Sequence, residues 1–118
     1  MMAKKALLFK DQEIYEQIMK TTSPRQMKSL GRKVHNFDHI LWEKERYSIV
    51  LCGNMLKFGY NMDILDILRS TGDSIIAEAS PYDKIWGIGM KKRKGLTRKD
   101  WKGVNLLGDV LMDVRNSI

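Results

Sequence analysis

The chain has 118 residues, which fits one domain built on one core. Its 43% hydrophobic and 30% charged residues are those of a soluble globular protein rather than a disordered one, and no apolar run approaches the ~20 residues of a membrane span. The formal charge of +7 is concentrated, because seven of the 21 bases but only one of the 14 acids fall in residues 91–102, which argues against a globally basic nucleic-acid binder.

Taken in chain order, residues 2–9 and 11–20 carry helical spacing, with Leu7, Ile14 and Ile18 on one stripe and Leu8 and Tyr15 on another, as one helix or two. Ser23-Pro24 predicts a helix start, since Ser caps and Pro has no N–H to lose in a first turn; Met27 and Leu30 face inward and the helix stops near Gly31. Asp38 predicts the cap of a long helix to about Phe58, on which Ile40, Tyr47, Leu51, Met55 and Phe58 form one face. Gly53 within it is expected to permit close packing, and Cys52 to be an inert core residue. Asn61 or Asp63 caps a shorter helix holding Ile64, Leu65, Ile67 and Leu68, and Thr71-Gly72-Asp73 is a turn. Ser74 to Ala79 reads as a short isolated strand, 81–99 as loop, and 100–116 as a last helix with Val104, Leu107, Leu111 and Val114 inward. The fold expected is mainly α, a single compact helical domain with at most a short strand element.

The sole cysteine, Cys52, excludes an intrachain disulfide and favours a reducing, cytoplasmic setting; the start of the chain shows no signal-peptide pattern. His35 and His39 are four apart, but the expected helix begins between them, so they need not share a face and no metal site is expected. No G-x-S-x-G, Walker or G-x-G-x-x-G pattern occurs. What remains is the stretch Ser80-Pro81-Tyr82-Asp83-Lys84-Ile85-Trp86-Gly87-Ile88-Gly89, followed by Trp101-Lys102-Gly103-Val104-Asn105-Leu106-Leu107-Gly108. A carboxylate, a flat aromatic and a glycine-opened backbone without clear periodicity suit the wall of a small-molecule pocket. Glu78 and Asp83 flank the Ser-Pro turn beside Trp86. Each acid also reads as a cap or an ion-pair partner, and both tryptophans as core. The basic loop reads either as a solvated loop or as an attractor of an anionic ligand.

Several ordered segments together are similar to the YbiA-like, or NADAR, family of N-glycosidases. They are Met1 to Phe9, Ser23-Pro24 through Gly31-Arg32, Phe37-Asp38 with Trp42, Lys57-Phe58, Glu78 to Gly87 and Trp101 to Gly108. The resemblance implies a helical domain over 1–118 and an N-terminal strand-and-turn portion ahead of Met1 that carries an active-site glutamate, so the domain is expected to be N-terminally incomplete. It implies a hydrolase that cleaves the bond between a ribose and an amine. The substrates expected are phosphorylated riboflavin biosynthesis intermediates, with release of ribose 5-phosphate. The alternative is ADP-ribose joined to a base or to nicotinamide, or an inactive nucleotide-binding module. On this reading Asp83 stabilises the sugar cation and activates water, Trp86 stacks on the heterocycle, and Asn105 bonds the ribose or base edge. Lys5, Arg32 and Lys57 hold the phosphate, and Glu78 and Gly87 complete the substrate pocket. No cofactor or metal is needed. The partner is a small molecule, with nucleic acid at the basic loop less favoured and no membrane.

Overall fold

A computed structural model describes residues 1–118 as six helices with no strand, so the fold is mainly α. The chain divides into two compact units, Met1–Ile49 and Val50–Ile118. No helix is long and apolar enough to cross a membrane.

In the first unit α1 (Met2–Leu8), α2 (Gln12–Lys20) and α3 (Pro24–Gly31) pack on one another. The first two are separate helices because Lys10 turns into the left-handed region, at φ 58°. Asp11 then caps α2 by accepting the Ile14 N–H at 3.1 Å, while its own N–H returns to the Ala6 carbonyl at 2.8 Å. The break resets the helical phase. Ala6 and Phe9 join Ile14, Ile18 and Val34 in the core, and Leu7, expected on that stripe, is 41% exposed instead. Ser23 caps α3 through the Gln26 N–H, with Pro24 in the first turn. Gly31 is buried against Met2, whose sulfur would overlap a side chain there.

Asp38 caps α4 (His39–Gly59) by accepting the Ile40 and Leu41 N–H groups at 3.0 and 3.3 Å. Its buried residues are Val50 and Phe58, while Ile40 is 79% exposed. Cys52 is exposed and not a core residue, because it sits about half a turn around the helix from Val50. Gly53 serves no close packing, since nothing approaches the space its side chain would fill.

In the second unit α5 (Met62–Ser70) buries Leu65 and Leu68 and meets α6 (Leu106–Ser117), which buries Val110 and Val114. Of the two expected caps of α5, Asn61 stands at the N-cap position but makes no side-chain cap bond, its amide turning back to the Lys57 carbonyl, and Asp63 lies within the first turn. The last helix starts six residues later than its spacing suggests, and Val104 is 62% exposed. A short 3-10 turn at Arg98–Asp100 is followed by open chain, because the left-handed Asn105 cannot continue a helix toward its N-terminus. Residues 74–79 form no strand, having no neighbouring strand to pair with.

Candidate active site

The residues singled out from sequence fall into two groups, one in each unit. In the first unit Lys5 and Arg32 come together: the Lys5 ammonium is held below its ordinary pKa first by burial and then by the charge of Arg32. The Lys5 Nζ lies 4.8 Å from the Phe37 ring centroid and 5.4 Å from that of Trp42, within cation–π reach of both. Phe37 is fixed edge-on against the core residue Phe9 at 5.2 Å. Two neighbouring cations, one of them against aromatic faces, repel each other, and an anion such as a phosphate would relieve that repulsion. Sequence reasoning gave Phe37 and Trp42 no role; their place around Lys5 comes from the fold of the segment after α3.

The histidines do not converge. The His35 ring bonds the buried Asp11 carboxylate at 2.8 Å, and His39 bonds Glu43 one turn along α4, also at 2.8 Å. Asp11 also accepts the His35 N–H at 2.8 Å.

In the second unit the stretch from Glu78 to Gly108 folds onto itself through its backbone. The Val104, Asn105, Leu106 and Leu107 N–H groups donate to the carbonyls of Lys84, Gly87, Ile85 and Trp86 at 2.8 to 3.1 Å. The Ile88 carbonyl accepts the Lys102 and Gly103 N–H groups at 2.9 and 2.8 Å. Such close strands of backbone leave no room for side chains at their crossings. A Cβ on Gly87 would stand 2.8 Å from the Asp83 carbonyl oxygen, and one on Gly103 would stand 2.7 Å from the Lys84 Cα. Gly87 is therefore buried scaffold, not a residue that faces a ligand.

Asp83 is half-buried at the turn. One oxygen, Oδ1, accepts the Ile85 N–H at 3.0 Å and the Trp86 N–H at 2.8 Å, which fixes the carboxylate plane. No protein group hydrogen-bonds the other oxygen, Oδ2. The same two bonds place the half-buried Trp86 beside it. A carboxylate that is fixed by one oxygen and open at the other has the form of a group held ready for a ligand.

Asn105 has a different part from the one its motif suggested. It is 0% exposed, and both ends of its carboxamide are engaged: Nδ2 donates to the Ile76 carbonyl and Oδ1 accepts the Glu78 N–H, both at 2.9 Å. Its burial leaves it no surface to offer a ligand in this structure, where it positions the 76–78 segment. Its left-handed backbone, φ 57°, is what aims the amide. Asn is among the few residues that adopt this conformation readily, but the motif alone did not show that it is used here. The Glu78 side chain is exposed, and its main chain is tied to Asn105, Ser80 and Ile88. Lys57 is exposed on α4, with Nζ 5.5 Å from the Phe58 ring, and borders an apolar cleft of about 260 Å³ with Phe58, Ile67 and Leu111.

The sequence matches the model of the NADAR domain over residues 1–118. It is 46% identical over 98% of its length to an N-glycosidase of Acanthamoeba polyphaga mimivirus and spans 69% of that protein. It is 32% identical over 98% of its length to an N-glycosidase of Nostoc punctiforme, again spanning 69% of it. A chloroplastic protein of Zea mays named for riboflavin biosynthesis is 28% identical over 90% of the chain, which spans 16% of the maize protein.

Proposed function

The chain belongs to the NADAR domain family, and from that premise we propose that it is an N-glycosidase that hydrolyses the ribosyl–nitrogen bond of a phosphorylated riboside. The observation that supports this most is Asp83, anchored through Oδ1 and open at Oδ2 beside Trp86. As the C–N bond lengthens, positive charge develops on C1 and the ring oxygen of the sugar. A fixed carboxylate facing that cation stabilises it and takes a proton from the attacking water, as acids do in glycoside hydrolysis. Water oxygen bonds C1, the bonding pair leaves with nitrogen, and the departing amine gains a proton. The products are the free sugar phosphate and the amine. Trp86 offers a flat face to the heterocycle. Within the first unit, Lys5 and Arg32 form a cationic pair suited to an anionic group, with the Arg fork favoured for two-point contact.

For the substrate we favour a phosphoribosylamino-pyrimidine of the kind met in riboflavin biosynthesis, a reading supported by the name of the maize relative. Mass spectrometry on that compound and on an ADP-ribosylated base tests it. Release of ribose 5-phosphate from the first is expected. Release of ADP-ribose from the second alone would overturn the substrate class, and release from neither would overturn the enzyme.

A further inference from the structure

The basic loop, residues 91–102, takes no part in the hydrolysis proposed above. Its seven bases have a single acid, Asp100, among them. Unpaired charges are costly to bury, so a segment with this excess of bases stays in water. Lys91, Lys92, Arg93, Lys94, Arg98 and Lys99 are all exposed. The loop is shaped from within. Its far end is held where the Lys102 and Gly103 N–H groups meet the Ile88 carbonyl, at 2.9 and 2.8 Å. Gly95 turns the chain at φ 76°, and the Leu96 N–H reaches back to the Arg93 carbonyl at 3.4 Å. After that turn Arg93, Thr97 and Asp100 meet. Asp100 Oδ2 accepts the Thr97 N–H at 2.9 Å and the Thr97 hydroxyl at 3.1 Å, and Oδ1 stands 3.6 Å from the Arg93 guanidinium. Thr97 lines one groove with Lys92, Arg93 and Arg98.

Thr97 is the only serine or threonine of this loop, it is exposed, and all seven bases lie within six residues of it. Ser29, the next most basic setting, has four: Arg25, Lys28, Arg32 and Lys33. We propose that Thr97 is a phosphorylation site for a serine/threonine kinase whose acidic substrate groove selects basic flanks, and that Arg93 and Arg98 then clasp the phosphate. In the transfer Thr97 Oγ bonds the γ-phosphorus of ATP. The bond from that phosphorus to its bridging oxygen breaks, the pair leaves with ADP, and the hydroxyl proton passes to a base of the kinase. The phosphate carries a charge of about −1.5 to −2 at pH 7. Thr97 then has no proton to give Asp100, and the two anions repel. Arg93 exchanges the Asp100 carboxylate for the phosphate, and Arg98, now 5.7 Å over the Trp101 ring, supplies a second forked donor. The loop falls from +6, seven bases less one acid, to about +4, which weakens its pull on other anions.

The test treats the folded, unaltered chain with the catalytic fragment of protein kinase C and magnesium-ATP and maps the phosphate by mass spectrometry. Phosphate is expected chiefly on Thr97, with Ser29 as the internal comparison. The rate at Thr97 is expected to fall at least about tenfold in Lys92→Glu/Lys94→Glu. Phosphorus NMR then follows the second ionisation of the phosphate. Its midpoint in the folded protein is expected below the ordinary value of about 6, returning to that value in urea and in Arg93→Gln/Arg98→Gln. The mapping and the comparison with urea need no variant. Labelling of Ser29 or another hydroxyl with Thr97 left bare would overturn the site. A midpoint that is the same in the folded and the urea-denatured protein would overturn the clasp.

Discussion

The helices of the first unit and the Glu78–Gly108 segment of the second are held by opposite means. In the former, side chains interlock: Ala6, Phe9, Ile14, Ile18 and Val34 make a core, and the backbone bonds mostly within its own helices. In the latter, backbone grips backbone. Residues 102–107 bond to 84–88, glycines stand where the chains cross, and one buried asparagine fastens the 76–78 segment. A helical core tolerates modest changes in side-chain volume, because neighbouring rotamers adjust. A backbone crossing has no rotamers to adjust, so it is unforgiving, and it can hold a catalytic side chain in one place.

The largest effect that would test this contrast is Gly103→Ala. The new methyl would meet the Lys84 backbone and the Gly87 carbonyl, so the loop must open. A loss of about 3 kcal/mol or more is expected in urea denaturation. A loss under about 1 kcal/mol would show that the crossing is loose. Asn105→Ala comes next. It strands the Ile76 carbonyl and the Glu78 N–H and puts alanine at a positive φ, for an expected loss of about 2 to 3 kcal/mol. Gly53→Ala on α4 should act in the opposite sense. The space is open and helix propensity improves, so a gain of up to about 1 kcal/mol is expected in the same measurement.

How much of this was legible in the sequence divides along the same line. Ser23-Pro24 and Asp38 announced their helices because capping is local: a side-chain oxygen and a backbone N–H three residues on suffice. The phase slip at Lys10, the outward Cys52 and the late start of α6 were not legible. Each is set by a backbone conformation or by which face finds a partner, and periodicity reports neither. The motif residues Asp83, Gly87 and Asn105 were visible as a group, but their division of labour was not. Only hydrogen bonds and burial separate Asp83, with one oxygen open, from Asn105, buried with both ends of its amide engaged.

The smallest effect expected is a dependence on pH in the helical unit. The Asp11 carboxyl is held below its ordinary pKa, chiefly by the His35 N–H and further by the Ile14 N–H and the His35 ring. A carboxyl depressed by folding contributes stability that is complete above the unfolded pKa of about 4 and is lost as pH falls through the lower folded value. The thermal midpoint should therefore fall on acidification, and Asp11→Asn should flatten part of that fall. An identical acid profile in the variant would show that the Asp11 bonds do not couple to folding.

The central claim is that Asp83 anchors the loop with one oxygen and acts with the other, and Asp83→Asn separates the two. An asparagine Oδ1 still accepts the Ile85 and Trp86 N–H groups, so the fold and its thermal midpoint should stay close to those of the unaltered protein. Under the proposed mechanism, replacing Oδ2 with an amide removes the charge that stabilises the sugar cation and the base that takes the proton from water. The most direct measurement is the rate of sugar-phosphate release by the folded variant. A drop of about 100-fold or more is expected. Release at the unaltered rate would contradict the assignment.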